Sequence, residues 1–218
     1  MRGLLLILFT CAFVSPVAAC DVALVLAIDV SGSIAPNEYL LQIDGLADAL
    51  DDPAIVEALV TGQDSLAIVQ WSGDRYEELT LPWQNLRSTA DVSDLALVVR
   101  GIRRPENYTA TAIGQAMRFS LAQFADGPIC RREVIDVSGD GKENDGMTLP
   151  AARAEAEAQG VTVNGIAIEI GDDTTELTNY YSRFVMTPDG FVLTAKGLQD
   201  YSRAIHNKLL RELTKPVS

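Results

Sequence analysis

The sequence Val22-Ala-Leu-Val-Leu-Ala-Ile28, followed directly by Asp29-Val-Ser-Gly-Ser33, carries the main structural information in this chain. A continuous apolar run of this length predicts a strand that is buried on both faces, as in a parallel sheet. One carboxylate and two hydroxyls then follow at alternate positions, on Asp29, Ser31 and Ser33. Hard divalent cations bind such oxygen donors. The donors are predicted to lie on a strand-to-helix loop, the place where open α/β sheets bind ligands.

The rest of the chain alternates between predicted strands and helices. Short apolar runs bounded by turn residues predict six strands, at residues 22–28, 65–71, 76–81, 133–137, 161–170 and 191–194. Helical periodicity, starting at Pro36, predicts helices at residues 36–50, 53–60 and 88–99, one ending near residue 125, and others at 149–159, 174–184 and 198–213. The predicted fold is α/β: a doubly wound, mostly parallel six-stranded sheet with one antiparallel edge strand, residues 76–81, and helices on both faces.

The composition indicates one acidic globular domain. The 218 residues are 48% hydrophobic and 22% charged, which is enough apolar material for a sizeable core. Asp and Glu number 30 against 17 Lys and Arg, so the formal net charge is −13. Binding to phosphate backbones needs a basic face, and the sequence has no stripe rich in Lys and Arg. We therefore expect no nucleic-acid partner.

Residues 1–19 have the pattern of a signal peptide. Arg2 supplies a basic start, residues 3–14 form an apolar run, and Val17-Ala-Ala19 presents the small residues that signal peptidase prefers. The run is shorter than the ~20 residues of a membrane-spanning helix, and no later stretch is long and apolar enough to be one. We expect an exported protein, periplasmic or secreted, whose folded domain comprises residues 20–218.

Two cysteines, Cys20 and Cys130, remain after such a cleavage. An even pair in an oxidising compartment suggests a disulfide. Cys20 lies nine residues before Asp29, and Cys130 lies ten residues before Asp140. The two would therefore lie at similar depth if their strands are parallel neighbours. The sequence Val17-Ala-Ala-Cys20 also resembles a bacterial lipoprotein box, so a lipid anchor on Cys20 is the alternative.

Two further loops at the same predicted edge carry oxygen ligands, Thr109 on the polar loop 103–114 and Asp140 after the strand 133–137. Together with Asp-x-Ser-x-Ser at 29–33, this ordered three-part pattern resembles the von Willebrand factor type A domain, also called the integrin I-type domain. That family builds a metal-ion-dependent adhesion site (MIDAS) from Asp-x-Ser-x-Ser, a Thr and an Asp. The resemblance covers essentially all of the chain after residue 19 and implies the Rossmann-like von Willebrand A fold.

The resemblance implies a role for each matching residue. Ser31 and Ser33 would coordinate Mg²⁺, or Mn²⁺ or Ca²⁺ in its place, through their hydroxyls. Thr109 would join them directly or through water, while Asp29 and Asp140 would bind mostly through water. Such a donor set suits Mg²⁺, which prefers octahedral oxygen ligands and keeps several waters.

The second and third loops leave details open. The spacing of Thr109-Ala-Thr111 permits either threonine as the ligand, and the resemblance selects Thr109. The third loop reads Ser138-Gly-Asp-Gly141 where the family often has Thr-Asp-Gly, so its backbone path is expected to differ. In the family, the strands that precede these first and third loops are neighbours, which is the adjacency that a Cys20–Cys130 disulfide needs.

The function implied by the resemblance is adhesion. Two carboxylates would neutralise the charge of a divalent ion without exceeding it, so the ion would still accept a carboxylate from a partner. The predicted partner is therefore a protein that presents an Asp or Glu side chain. The sequence looks like an exported bacterial subgroup of this family whose function is not assigned. We predict a binding module that is not an enzyme. The alternatives are a metal-assisted hydrolase at the same site and a structural domain with a vestigial site.

Other polar and aromatic residues carry less functional information. His206, the only histidine, lies on the last predicted helix and far from any nucleophile motif, so no catalytic base is expected. Arg103 and Arg104 are predicted to be a solvated pair beside the second loop, with recognition of an acidic partner as the alternative. Trp71 and Trp83 each border a strand and are predicted to pack in the core and at the sheet edge.

Overall fold

The computed structural model of the protein describes residues 20–105, 110–171 and 174–214. Its centre is a six-stranded sheet with the order β3 (Glu77–Asn85), β2 (Ser65–Trp71), β1 (Cys20–Asp29), β4 (Cys130–Gly139), β5 (Thr162–Glu169) and β6 (Val192–Lys196). All neighbouring strands are parallel except β2 and β3, which are antiparallel. The predicted α/β fold with one antiparallel edge strand is therefore confirmed.

Helices cover both faces of the sheet, because the apolar side chains of β1 alternate between two cores. Leu24 and Leu26 pack with α1 (Pro36–Leu50), α3 (Thr89–Arg100) and α7 (Tyr201–Leu213). Val25 and Ala27 pack with α4 (Ile113–Ala122) and α5 (Leu149–Gln159) on the other face. No helix in the described ranges has the length and hydrophobicity needed to cross a bilayer. The other two α-helices of the described ranges are α2 (Pro53–Gly62) and α6 (Glu176–Tyr180).

Some elements differ in extent from the sequence predictions. β4 begins at Cys130 instead of residue 133, because its ladder with β1 continues through charged residues whose backbone pairs normally. The predicted helix at 174–184 is α-helical only over α6 and continues as a π-helical segment, Tyr181–Val185. The predicted helix at 198–213 begins with a 3₁₀ turn, Leu198–Asp200, before α7.

A disulfide closes the amino edge of the sheet, opposite Asp29. Cys20 and Cys130 are direct partners in the β1–β4 ladder, their Cα atoms lie 4.5 Å apart, and their sulfurs are bonded. The predicted pairing is confirmed. In this bond the sulfur of Cys20 is not available for the thioether of a lipid anchor.

A group of charged side chains lies buried between the sheet and α7. Lys208 is 0% exposed, and its Nζ lies 2.5 Å from Oδ2 of Asp136 and 2.5 Å from Oε1 of Glu212. The same Glu212 oxygen accepts a hydrogen bond of 2.7 Å from Nδ2 of Asn164 on β5. Burial raises the pKa of Asp136, and the charge of Lys208 opposes that rise. Asp136 interrupts the apolar pattern of β4 because its partner comes from a distant helix.

We predict that the disulfide contributes about 4 kcal/mol to stability, because it closes a loop with a sequence separation of 110 residues in the unfolded chain. The measurement is urea unfolding of the chain from Cys20 onward, with and without a reducing agent. The same reagent should not change the unfolding of the Cys20→Ala/Cys130→Ala variant. Equal midpoints for oxidised and reduced wild type would contradict the prediction.

We also predict that Lys208→Met destabilises the fold by about 3–5 kcal/mol, because it leaves two buried carboxylates without a cation. The triple variant Asp136→Asn/Lys208→Met/Glu212→Gln removes all three charges and should recover most of this loss. Urea unfolding at neutral pH compares the three proteins. A Lys208→Met protein as stable as the wild type, or a triple variant no better than Lys208→Met, would show that the cluster does not act in this way.

Candidate metal centre

The first and third loops meet at the carboxyl edge of the two central strands. β1 ends at Asp29, and β4 ends at Gly139, immediately before Asp140. In the ladder Ile28 is the partner of Ser138, so both strands end at the same height. Neighbouring parallel strands present their carboxyl ends at one edge of the sheet, which is why residues so far apart in sequence come together.

A row of oxygen atoms leads from the core to the surface at this edge. Oδ1 of Asp29 accepts a hydrogen bond of 2.7 Å from the backbone amide of Ser31. The hydroxyls of Ser31 and Ser33 lie 3.1 Å apart, and that of Ser33 donates to Oδ1 of Asp140 at 2.6 Å. Asp29 and Ser31 are buried, Asp140 is half-buried and Ser33 is exposed. A small ion among these oxygens would therefore be reachable from solvent on one side.

The spacing of these oxygens fits a small divalent cation. In an octahedral Mg²⁺ site with bonds of about 2.1 Å, neighbouring ligand oxygens lie about 3 Å apart, close to the 3.1 and 2.6 Å measured between Ser31, Ser33 and Asp140. Oδ2 of Asp29 and Oδ2 of Asp140 are buried and make no hydrogen bond of normal geometry to any described residue. Serine hydroxyls are essential to such a site, because within the described ranges no three His, Cys, Asp or Glu side chains are grouped to hold a metal.

Burial makes both carboxyls of the cluster reluctant to ionise. The pKa of Asp29 is raised to about 7, mainly by burial and also by the negative charge of Asp140, while hydrogen bonds from Ser31 and the amide of Asp140 oppose the rise. The pKa of Asp140 is also raised, mainly by burial, with a smaller effect from the charge of Glu38. Glu38 is held nearby, because its Oε2 accepts a hydrogen bond of 2.8 Å from the amide of Ala35. A cation between the carboxylates would favour their ionised forms.

Arg104 holds the first loop in place. Its Nη2 donates hydrogen bonds to the backbone carbonyls of Val30 at 3.1 Å and Ser31 at 2.9 Å. The prediction of a solvated arginine pair is therefore wrong for Arg104, whereas the alternative, recognition of an acidic partner, stays a prediction. Its neighbour Arg103 is exposed. Sequence reasoning could not separate the two, because only the folded chain brings residues 30 and 31 to one of them.

The predicted second-loop ligand, Thr109, lies outside the described residues. The alternative, Thr111, is buried and joins the second loop to the third. Its amide donates to Oδ1 of Asn144 at 2.9 Å, and its carbonyl accepts from the amides of Asn144 and Asp145 at 2.9 and 3.2 Å. The assignment of Thr109 as a ligand stays a prediction.

Glu143 supports the third loop and was missed in the sequence. Its Oε1 accepts a hydrogen bond of 3.0 Å from the amide of Gly114, and its Oε2 accepts one of 3.2 Å from the amide of Leu149. Those amides lie at the starts of α4 and α5, where a negative charge is favourable. A capping motif describes one helix, so no local pattern could reveal a carboxylate that caps two.

Of the remaining residues named in the sequence, His206 and Trp83 lie away from the centre, whereas Trp71 is the ladder partner of Asp29. His206 pairs with Asp52 at 3.2 Å, next to the end of α1 that is farther from Asp29. Trp71 is fully buried in the core. Trp83, on edge strand β3, donates from its indole nitrogen to the carbonyl of Gln123 and packs against the Phe124 ring.

A family model described as "Protein of unknown function (DUF1194)" matches residues 19–217. Because the match covers nearly all of the chain, the chain belongs to this family. No curated protein shows significant sequence similarity to this chain.

Solved structures with the von Willebrand factor type A fold superpose on the chain at low sequence identity. Proximal thread matrix protein 1 from the mussel byssus, in a form with a zinc-occupied MIDAS motif, is 21% identical with a TM-score of 0.66, over 90% of this chain and 48% of that one. The pilus adhesin SpaC from Lactobacillus rhamnosus GG is 14% identical with a TM-score of 0.66, over 89% and 31%. A von Willebrand factor type A protein from Catenulispora acidiphila is 18% identical with a TM-score of 0.60, over 91% and 44%. The chain thus has the von Willebrand A fold and spans less than half of each of these proteins.

We predict that Arg104→Met destabilises the fold by about 1–3 kcal/mol, because it leaves two partly buried carbonyls without their donor. Arg103→Met is the matched control: it makes the same change one residue earlier, at an exposed side chain, and should alter stability by less than about 0.5 kcal/mol. Urea unfolding of both variants in the presence of a chelator tests the prediction. Equal midpoints for the two would exclude a structural role for the Arg104 guanidinium.

Proposed function

We propose that this DUF1194 protein is an exported, metal-ion-dependent protein-binding module of the adhesion type. Its ion would lie among Asp29, Ser31, Ser33, Thr109 and Asp140 at the carboxyl edge of the sheet. The ion is Mg²⁺, or Mn²⁺ or Ca²⁺ in its place, and it binds a carboxylate of an acidic residue on a partner protein.

The observation that carries the proposal is the row of oxygens from Asp29 to Asp140. It places two neutral hydroxyls between two carboxyl groups, and each carboxyl keeps one buried oxygen without a hydrogen bond of normal geometry to the described residues. Two carboxylates balance the charge of a divalent ion and do not exceed it. An ion with neutral hydroxyls as its direct ligands keeps affinity for a further anionic oxygen, which a partner's Asp or Glu supplies.

Similarity to known proteins supports the same class of function. The mussel byssus protein has zinc in its MIDAS motif, and SpaC is a pilus adhesin. The mussel protein adds Zn²⁺ to the ions that deserve testing. Its identity to this chain is 21%, so the ion and partner of this chain are argued from its own residues.

Export and the absence of catalysis are parts of the proposal. The Cys20–Cys130 disulfide suits an oxidising compartment such as the periplasm or the exterior, in line with a signal peptide at residues 1–19. We assign no catalytic residue. The only histidine, His206, pairs with Asp52 at the carboxyl end of α1, a helix about 22 Å long whose other end is the one nearer Asp29.

We predict that divalent cations stabilise the wild type and fail to stabilise Asp29→Asn. A ligand at 100 times its Kd adds about 2.7 kcal/mol, which thermal unfolding in Mg²⁺, Mn²⁺, Ca²⁺ or Zn²⁺ against chelator detects. Asp64→Asn is the matched control. Asp64 is also a buried aspartate with a pKa raised to about 7 by burial, but it lies at the start of β2, at the opposite edge. A cation shift that survives in Asp29→Asn would refute the proposed site.

The carboxylate step is tested on the same three proteins. Peptides selected from a random library on the Mg²⁺-loaded wild type should contain an essential Asp or Glu, bind Asp64→Asn equally, and lose binding to Asp29→Asn. Replacement of the acidic residue by its amide should abolish binding. Peptides that bind equally well in chelator would contradict a metal-mediated mechanism.

A further inference from the structure

The side chain of Tyr181, at the start of the π-helical segment after α6, has a buried hydroxyl that makes no hydrogen bond within the described part of the chain. Tyr181 is 0% exposed. Buried tyrosine hydroxyls normally find a partner, because an unpaired one loses its hydration without compensation. The hydroxyl therefore requires an explanation.

Two strand glycines make room for this tyrosine. A Cβ atom on Gly165 of β5 would lie 2.8 Å from Cδ1 of Tyr181, and one on Gly139 of β4 would lie 2.6 Å from its hydroxyl oxygen. Glycine weakens the interior of a strand and commonly marks a close approach of another group. The ring of Tyr181 thus lies across β4 and β5, and its hydroxyl lies at the carboxyl end of β4.

The hydroxyl faces Asp29 at that point. The same Cβ position on Gly139 lies 2.8 Å from Oδ2 of Asp29, the oxygen that has no hydrogen bond of normal geometry among the described residues. Oδ1 of Asp29 is already bonded to the amide of Ser31. One buried donor and one buried acceptor, neither with a hydrogen bond of normal geometry to the described residues, therefore lie near the same point beside Gly139. With distances of 2.6 and 2.8 Å from that point, the two atoms are at most about 5.4 Å apart, and the terminal torsion of an aspartate is broad, so rotation of the carboxyl can bring them closer.

The backbone around Tyr181 has the geometry of a specialised position. The segment Tyr181–Val185 is π-helical, and the carbonyl of Tyr181 accepts a hydrogen bond of 3.0 Å from the amide of Met186, five residues on. Such segments are rare and are found frequently at functional sites. The wider turn begins at the residue whose hydroxyl lies beside Gly139 and near Asp29.

We propose that Tyr181 is a positioning residue of the metal centre, whose hydroxyl donates a hydrogen bond to Oδ2 of Asp29. This inference rests on the proposed function. The bond orients the carboxylate toward the first loop, satisfies two buried polar atoms at once, and is charge-assisted when Asp29 is ionised. Tyr181 would act through Asp29 without touching the ion.

The test is the Mn²⁺ affinity of Tyr181→Phe, which keeps the ring and removes only the hydroxyl. Loss of a residue that orients a metal-binding group weakens binding by roughly 10- to 100-fold, and calorimetric titration with Mn²⁺ measures the Kd. In chelator, the variant should melt only slightly below the wild type, because it loses the net contribution of one hydrogen bond while the ring still fills its space. Tyr201→Phe is the matched control, since Tyr201, the first residue of α7, is also buried but packs in the other core, with its hydroxyl beside Ser138 and not Asp29.

Several outcomes would overturn the inference. An unchanged Kd in Tyr181→Phe would do so and leave the proposed function intact. A weaker affinity accompanied by an equal loss of stability in chelator, or an equal weakening in Tyr201→Phe, would show a general structural effect. If the wild type itself binds no Mn²⁺, the proposed function fails first, and this inference fails with it.

Discussion

The parallel pairing of β1 with β4 is the constraint on which the rest of this structure depends. Its register runs from Cys20 with Cys130 to Ile28 with Ser138, so the same ladder brings the disulfide together at one edge and Asp29 beside Asp140 at the other. A slip of one residue would turn every side chain of the strand to the opposite face. The disulfide ties the ladder at its amino end, and the candidate metal centre depends on the same alignment at its carboxyl end.

Two buried aspartates on these central strands, Asp29 and Asp136, have different partners. Asp136 is paired by Lys208, a cation that the chain itself supplies from α7. Asp29 is equally buried and has an amide on one oxygen, but no basic side chain is bonded to it in the described part of the chain. Burial raises the pKa of both carboxyls. An external divalent ion at the carboxyl edge would do for Asp29 what Lys208 does for Asp136, with the difference that it can also bind a partner.

The loops around the candidate centre are held by residues that are not candidate ligands. Arg104 fixes the carbonyls of the first loop, Glu143 joins the third loop to the starts of α4 and α5, and Tyr181 lies behind Gly139. Each comes from a different part of the chain. The position of the oxygens thus depends on packing across the whole carboxyl edge, and metal affinity in such sites responds to the supporting residues as well as to the ligands.

The sequence by itself determined the α/β alternation and most of the candidate site. Apolar runs and helical periods are local, so the six strands and seven helices could be predicted with errors only at their ends. Asp29, Ser31, Ser33 and Asp140 stood out because chemically similar donors followed predicted strands, and their roles as ligands, like that of Thr109, remain predictions. The sequence also predicted the Cys20–Cys130 disulfide, which the structure confirms. Only the tertiary structure decided that Arg104 holds the first loop, and that Asp136, Glu143 and Tyr181 have the partners or neighbours they have. Those contacts join residues from separate elements, and no local pattern encodes which distant side chain will fill a given space.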